Sequence, residues 1–320
     1  MITPVHFALD LEPDERLPEI GAASFDNAGV ALRAMMQMRE KLQDKTGLTA
    51  RFGWYVRMDR HIAELYGGAD AITQRYQREL ELAFEAGDEI GLHIHVAERD
   101  KRGCWRVNYA DEKLVAETVD DAFDQFLSFF GRPCKAVRMG DMWISKSCMR
   151  HLARKGLLYD VSMETGLRSQ QLKAHYPGTS SKGRRPSLVA APLKPFQPFA
   201  GEDEIGEMWA LPLSSHPRND YHWPGMWLNS ANTMLATGFR RRRARDVLRP
   251  QANYSSKELE AAIDCAISEP GQPGLCVAVR NFGAASRIEA FFDILCKLTL
   301  RRKIQFCTPA EYVRLAKLAR

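Results

Sequence analysis

The sequence predicts an α/β fold built on a mainly parallel sheet, and three observations lead to it. Strand-like and helix-like segments alternate along almost the whole chain, as crossover connections between parallel strands require. Several strand-like segments end in carboxylates or imidazoles, which an α/β barrel gathers at the C-terminal ends of its strands. With 320 residues the chain can bury a large core.

The strand candidates are 5–10, 50–56, 89–95, 136–138, 158–161, 208–213, 275–279 and 303–307. In the first, apolar Val5-His6-Phe7-Ala8-Leu9 runs into Asp10-Leu11-Glu12-Pro13-Asp14-Glu15, and the strand period of two puts Asp10 and Glu12 on one face. The second, Phe52-Gly53-Trp54-Tyr55-Val56, ends at Arg57-Met58-Asp59. The third, Asp88-Glu89-Ile90-Gly91-Leu92-His93-Ile94-His95, is the most informative segment. Its two histidines share a face, and two imidazoles on one face form a metal-site candidate. A strand-end histidine or an acidic run alone is usually a packed or solvated residue; the combination of both clusters is what points to a metal. Arg138 and Asp141 end the fourth strand.

Helical periodicity occupies 31–43, 71–86, 114–130, 146–155, 257–268 and 286–298. Thr308-Pro309-Ala310-Glu311 offers a cap hydroxyl, a proline at the first helical position and a glutamate that reaches back to the cap amide, predicting a last helix over Pro309–Leu318. Ser255-Ser256-Lys257-Glu258 repeats the capping box. The stretch 166–206 breaks the alternation with clustered Pro, Ser, Gly, Lys and Arg. Alternation resumes after it, so it reads as a long loop excursion, of the kind that tends to serve function, within one domain spanning 1–320.

Hydrophobic residues make up 45% and charged residues 27% of the chain, a balance that speaks against disorder. Apolar runs such as Phe291-Phe292-Asp293-Ile294-Leu295 are too short to cross a bilayer. No basic segment followed by an apolar one opens the chain. Its seven cysteines are widely spaced with no CxxC pair, which together predicts a reduced, cytoplasmic setting. The net charge of +5 is modest and partly local to Arg240-Arg241-Arg242-Arg243-Ala244-Arg245, after a helix expected around 229–238. That run suits phosphate, a nucleotide sugar or peripheral contact with an anionic membrane, and equally a solvated helix end. No aromatic residues interleave with it, so nucleic acid is not an expected partner.

The order of these motifs resembles the polysaccharide deacetylase superfamily, that is, carbohydrate esterase family four and its relatives. The likeness runs from the acidic motif after the first strand through Gly87-Asp88-Glu89-Ile90-Gly91-Leu92-His93-Ile94-His95, Val137-Arg138-Met139-Gly140-Asp141-Met142-Trp143 and Gly156-Leu157-Leu158-Tyr159-Asp160-Val161-Ser162 to a final strand and helix around 287–312. The resemblance implies a distorted (β/α) barrel, often seven-stranded, in which a divalent metal polarises an amide carbonyl and water attacks it. It implies Asp10 as general base, Glu12 and His93 as metal ligands, and Arg138 as the arginine that orients the catalytic carboxylate. Zinc suits such nitrogen and oxygen ligands, with cobalt, nickel, iron and manganese as alternatives.

The chain departs from the pattern in three places. The usual second histidine ligand would fall at Ala97, so His95 is the candidate replacement; the second carboxylate is a glutamate; and the late strand reads Cys276-Val277-Ala278-Val279-Arg280-Asn281, without the histidine that protonates the leaving amine. His216 is the leading candidate for that acid because an imidazole titrates near neutrality; His222 and His6 are less well placed. Arg57, Asp59, Asp141 and Trp143 are candidate substrate-binding residues, and Trp223 and Trp227 are further rings suited to stacking on a sugar. The expected function is a metal-dependent N-deacetylase of an amino sugar in surface polysaccharide or glycoconjugate biosynthesis. A nucleotide-linked or lipid-linked saccharide is its expected substrate. Two alternatives stay open: a degenerate deacetylase fold that binds saccharide without cleaving it, and an enzyme acting on another acyl or carbon–nitrogen group.

Overall fold

The computed structural model describes residues 2–15, 24–172, 181–202, 205–217, 247–248, 256–268, 271–280, 285–299 and 301–318. Its strands are β1 (Thr3–Leu11), β2 (Gly53–Arg57), β3 (Glu89–Ile94), β4 (Ala97–Arg99), β5 (Trp105–Val107), β6 (Ala136–Met139), β7 (Tyr159–Asp160), β8 (Gln170–Gln171), β9 (Arg184–Arg185), β10 (Trp209–Ala210), β11 (His216–Pro217), β12 (Val247–Leu248), β13 (Leu275–Arg280) and β14 (Ile304–Phe306). The described helices are α1 (Asp26–Thr46), α2 (Arg60–Tyr66), α3 (Ala71–Arg75), α4 (Gln77–Glu85), α5 (Glu112–Phe130), α6 (Lys146–Arg154), α7 (Ser256–Ser268), α8 (Ala285–Thr299) and α9 (Pro309–Leu318).

Seven strands follow one another in the order β10-β7-β6-β3-β2-β1-β13, all parallel, and β14 adds an eighth at the foot of β1. Val5 pairs with Leu275 on one side and Phe306 on the other. β14 therefore shares an edge of β1 with β2, which takes over at Ala8. The sheet curls into a distorted barrel, and among the described residues Ser214 bridges the gap between β10 and β13. Ser214 donates its amide to the Cys276 carbonyl at 2.7 Å, while its hydroxyl accepts the Cys276 amide at 2.8 Å. A side chain thus satisfies backbone groups that a missing strand would have paired.

The sheet has two apolar faces. Outside, Phe7, Leu9, Trp54, Val56, Ile90, Leu92, Val137 and Val277 pack against the helices; inside, Ala8, Tyr55, Ala136, Val161, Leu211 and Cys276 fill the barrel. Burial on both faces is what lets these strands read as continuous apolar runs.

Most expected elements are present with their ends shifted by a few residues; the second strand starts at Gly53, not at residue 50. The helix expected over 71–86 is two helices broken at Tyr76, whose hydroxyl is anchored to the Phe25 carbonyl at 2.7 Å. Helix α2 and the antiparallel pairs β4–β5 and β8–β9 were not anticipated, the latter pair lying within the 166–206 excursion. The capping box of α9 forms as expected, with the Thr308 amide donating to Glu311 Oε2 at 3.1 Å and the Glu311 amide to Thr308 Oγ1 at 3.4 Å. Ser255 of the second box lies outside the described residues.

His6 occupies the barrel floor, not the chemical end. Its Nδ1 donates to the Cys307 carbonyl at 3.0 Å, which leaves Nε2 to accept from the Tyr55 hydroxyl at 3.2 Å. Burial lowers its pKa from 6.5 to about 4, against a smaller upward pull from the Cys307 hydrogen bond. Between those values the unfolded chain takes up a proton that the folded chain refuses, so His6 costs stability as pH falls from 6.5 towards 4, by about 3 kcal/mol in all. Urea unfolding at pH 7 and pH 4.5 should therefore show a smaller pH-dependent loss in His6→Gln than in wild type, by about 2–3 kcal/mol. Equal losses in both proteins would remove His6 as the cause.

Candidate metal centre

Strand register builds the site. Leu11 is level with Val56, Arg57 with His93, and His93 with Arg138. Glu12, the residue that follows β1, therefore falls in line with Arg57, and Glu12, Arg57, His93 and Arg138 form one row at the C-terminal ends of four adjacent strands. Asp10 lies one inward-facing position below, opposite Tyr55 and Gly91. Gly91 is required where β3 and β6 converge, since a Cβ there would run into the Ala136 carbonyl oxygen.

Glu12, His93 and His95 bring one ligand atom each within 4.8 Å of one another, and all three are buried. Nε2 of His95 is 2.9 Å from Nε2 of His93 and 3.2 Å from Oε2 of Glu12, and His93 Nε2 is 3.7 Å from the same oxygen. Three atoms so spaced lie on a circle of radius about 1.9 Å, slightly inside the ~2.0–2.2 Å that zinc keeps from imidazole nitrogen and carboxylate oxygen. The spacing would let Glu12, His93 and His95 hold one divalent ion together.

The hydrogen bonds behind the rings agree with this fit. His93 Nδ1 donates to the Arg138 carbonyl at 2.8 Å, which turns the lone pair of Nε2 inward. Nδ1 of His95 faces Asp141 Oδ2 at 3.3 Å. His95 Nδ1 makes no hydrogen bond among the described residues, but with Asp141 beside it and His93 Nδ1 bonded, two Nε2 atoms and a carboxylate oxygen converge, an arrangement that a shared cation relieves. Burial, reinforced by the charge of Arg57, holds the pKa of His95 well below the ordinary imidazole range; a neutral ring is the form that ligates metal. Burial pushes the Glu12 pKa up, but the neighbouring His93 and His95 rings prevail and hold it well below the usual carboxylate range. Two imidazole nitrogens and one carboxylate are the protein donor set of one class of catalytic zinc site.

Asp10 stands beside this cluster. Its Oδ1 accepts from Arg138 Nε at 2.7 Å and lies 3.7 Å from His93 Nδ1, while its buried Oδ2 has no hydrogen-bond partner among the described residues. Burial disfavours the charge on Arg138, but Asp10 more than offsets this and raises the arginine's pKa. Arg57 donates to Asp59 Oδ2 at 2.7 Å, contacts His61 Nδ1 at 2.8 Å and approaches Glu12 at 4.0 Å. Asp59 caps α2 through the Ile62 amide at 3.3 Å and accepts the His95 amide at 3.0 Å. Both side chains are wholly buried behind Glu12 and His95.

Trp143 stacks on Tyr109, with ring centres 4.5 Å apart, and the Tyr109 hydroxyl donates to Asp141 Oδ2 at 3.1 Å. Tyr109 was not singled out in the sequence, where it is an isolated aromatic residue before a helix cap. His216 is placed by its backbone in β11, paired with Leu248, and its side chain lies outside the described part. His222, Trp223, Trp227, the arginine run 240–245, the helix expected at 229–238 and Asn281 also lie outside it.

No family model and no curated protein matches the sequence. Solved structures share its fold. A protein named "probable polysaccharide deacetylase" from Pseudomonas aeruginosa PAO1 superposes with a TM-score of 0.55 at 12% identity, over 98% of this chain and 90% of that one. A Mycobacterium smegmatis protein of similar designation gives 0.54 at 12% identity over 98% and 90%. PuuE allantoinase gives 0.53 at 13% identity over 98% and 89%. The chain thus shares the fold of these proteins, as its motif order led one to expect.

Proposed function

We propose that the protein is a metal-dependent amidohydrolase that removes an N-acyl group, most simply N-acetyl, from an amino sugar during assembly of a surface polysaccharide or glycoconjugate. The observation that carries this reading is the division of labour among buried carboxylates. Glu12 joins two imidazoles in a donor cluster, while Asp10 stands outside it, tethered by Arg138 with one oxygen that has no partner among the described residues.

A divalent ion held by Glu12, His93 and His95, zinc by preference, would polarise the acyl carbonyl and lower the pKa of a water molecule. Asp10 accepts the proton of that water at its Oδ2. Arg138 orients Asp10 through the hydrogen bond to Oδ1. His216 is the proposed donor of the proton that the leaving amine requires, and Trp143 with Tyr109 the apolar surface for the sugar ring. Arg57 and Asp59 act from behind, setting the positions of Glu12 and His95.

The test is release of free amine from N-acetylated sugar nucleotides, lipid-linked saccharides and small glycosides, before and after chelation and after return of zinc, cobalt, nickel, iron or manganese. Activity should vanish on chelation and return with an ion. A folded protein that cleaves none of these in any metal form, or one indifferent to chelation, would sink the proposal. The fold shared with PuuE allantoinase favours a second reading, hydrolysis of another carbon–nitrogen bond. Cyclic amides and ureides in the same assay separate the two, since fold alone does not choose between them.

A further inference from the structure

We infer that Gly140 and Asp141 form a socket built for His95, in which Asp141 is the positioning carboxylate that selects the ring's tautomer. The inference rests on the reading of His95 as a ligand, and it explains how a histidine two residues after His93 serves where the superfamily pattern has one four residues after. A strand-end side chain so close in sequence to the first ligand must be held from the opposite wall if both Nε2 atoms are to meet one oxygen.

That wall is the turn after β6. Gly140 lies against the imidazole, and a Cβ at this position would stand 2.5 Å from Cε1, Nδ1 and Nε2 of His95. Only a residue without a side chain admits the ring. Asp141 and Met142 then adopt left-handed backbone conformations, φ 59° and 53°, which cost energy outside glycine and gather where surrounding structure imposes them. Their effect is to turn the Asp141 carboxylate back under the ring. Its Oδ2 comes 3.3 Å from His95 Nδ1 and takes the Tyr109 hydroxyl at 3.1 Å, so the oxygen is aimed at the imidazole by a third group. On the backbone side the Asp59 carboxylate grips the His95 amide at 3.0 Å. The main chain is fixed by a hydrogen bond to Asp59, and the ring is approached by the Asp141 carboxylate, which lies 3.3 Å from Nδ1 without a hydrogen bond to it and by its proximity favours the proton on that nitrogen. A carboxylate behind a ligating imidazole raises its basicity and locks its orientation.

Asp141→Gly is the discriminating variant, because glycine keeps the left-handed backbone while losing the carboxylate. Zinc affinity, measured by competition with a chromogenic chelator, should weaken about 10–100-fold, whereas Asp141→Asn, which retains an acceptor oxygen, should lose less. Long-range proton–nitrogen spectra of the metal-free proteins should show His95 protonated at Nδ1 in wild type and a tautomer mixture in Asp141→Gly. Gly140→Ala, which fills the socket, should weaken zinc at least as much. If Asp141→Gly folds, binds zinc as tightly as wild type and keeps the wild-type tautomer, the socket role is wrong while the metal reading stands. If wild type binds no zinc, or His95→Ala binds it undiminished, the reading beneath the inference falls and the inference with it.

Discussion

Asp10→Asn is expected to lower turnover by about 10²–10⁴-fold, the range that a positioned general base contributes, while leaving metal content at the wild-type level. The substitution keeps the shape of the side chain and an acceptor for Arg138 Nε, now 2.7 Å from Oδ1. It removes the oxygen that has no partner among the described residues and that we assign to the proton of the attacking water. Elemental analysis and amine-release kinetics on the same preparation separate the two effects. Loss of metal together with activity would move Asp10 into the ligand set. Full activity with full metal would end its assignment as the base.

The other large effect is on metal itself. Wild-type protein, purified without a tag and reconstituted, should carry close to one divalent ion per chain by elemental mass spectrometry, and the His93→Ala/His95→Ala double variant should carry almost none. His93 and His95 supply two of the three donor atoms gathered within 4.8 Å, so their loss leaves a lone carboxylate that cannot retain zinc against a chelator. Both rings are fully buried beside Glu12, so circular dichroism on the double variant must first show a folded chain. Metal retained by a folded double variant would place the ion elsewhere. A folded wild type that takes up none would favour the saccharide-binding alternative.

Much of this site is legible in the chain because strand periodicity is local. A period of two puts Asp10 with Glu12 and His93 with His95 before any fold is known, and both pairs do face the barrel's chemical end. The alternation of apolar runs with helical stretches foretold a parallel sheet, and the Thr308–Glu311 box foretold the last helix to the residue. The break at Tyr76 was hidden because its cause, the Phe25 carbonyl, lies 51 positions away. For the same reason the contacts of the Asp141 carboxylate with His95 and Tyr109 were hidden.

By itself, then, the sequence determined the kind of fold and the chemical inventory of the site, since propensity, capping and side-chain alternation act between near neighbours. Tertiary structure alone decided the arrangement of the site residues. The row of Glu12, Arg57, His93 and Arg138 exists only through interstrand register. Asp10 meets its arginine across 128 positions, and the His95 amide meets Asp59 across 36. Which carboxylate joins the imidazoles and which stands apart is settled by where closing the barrel sets each strand end, a long-range property that no local pattern encodes.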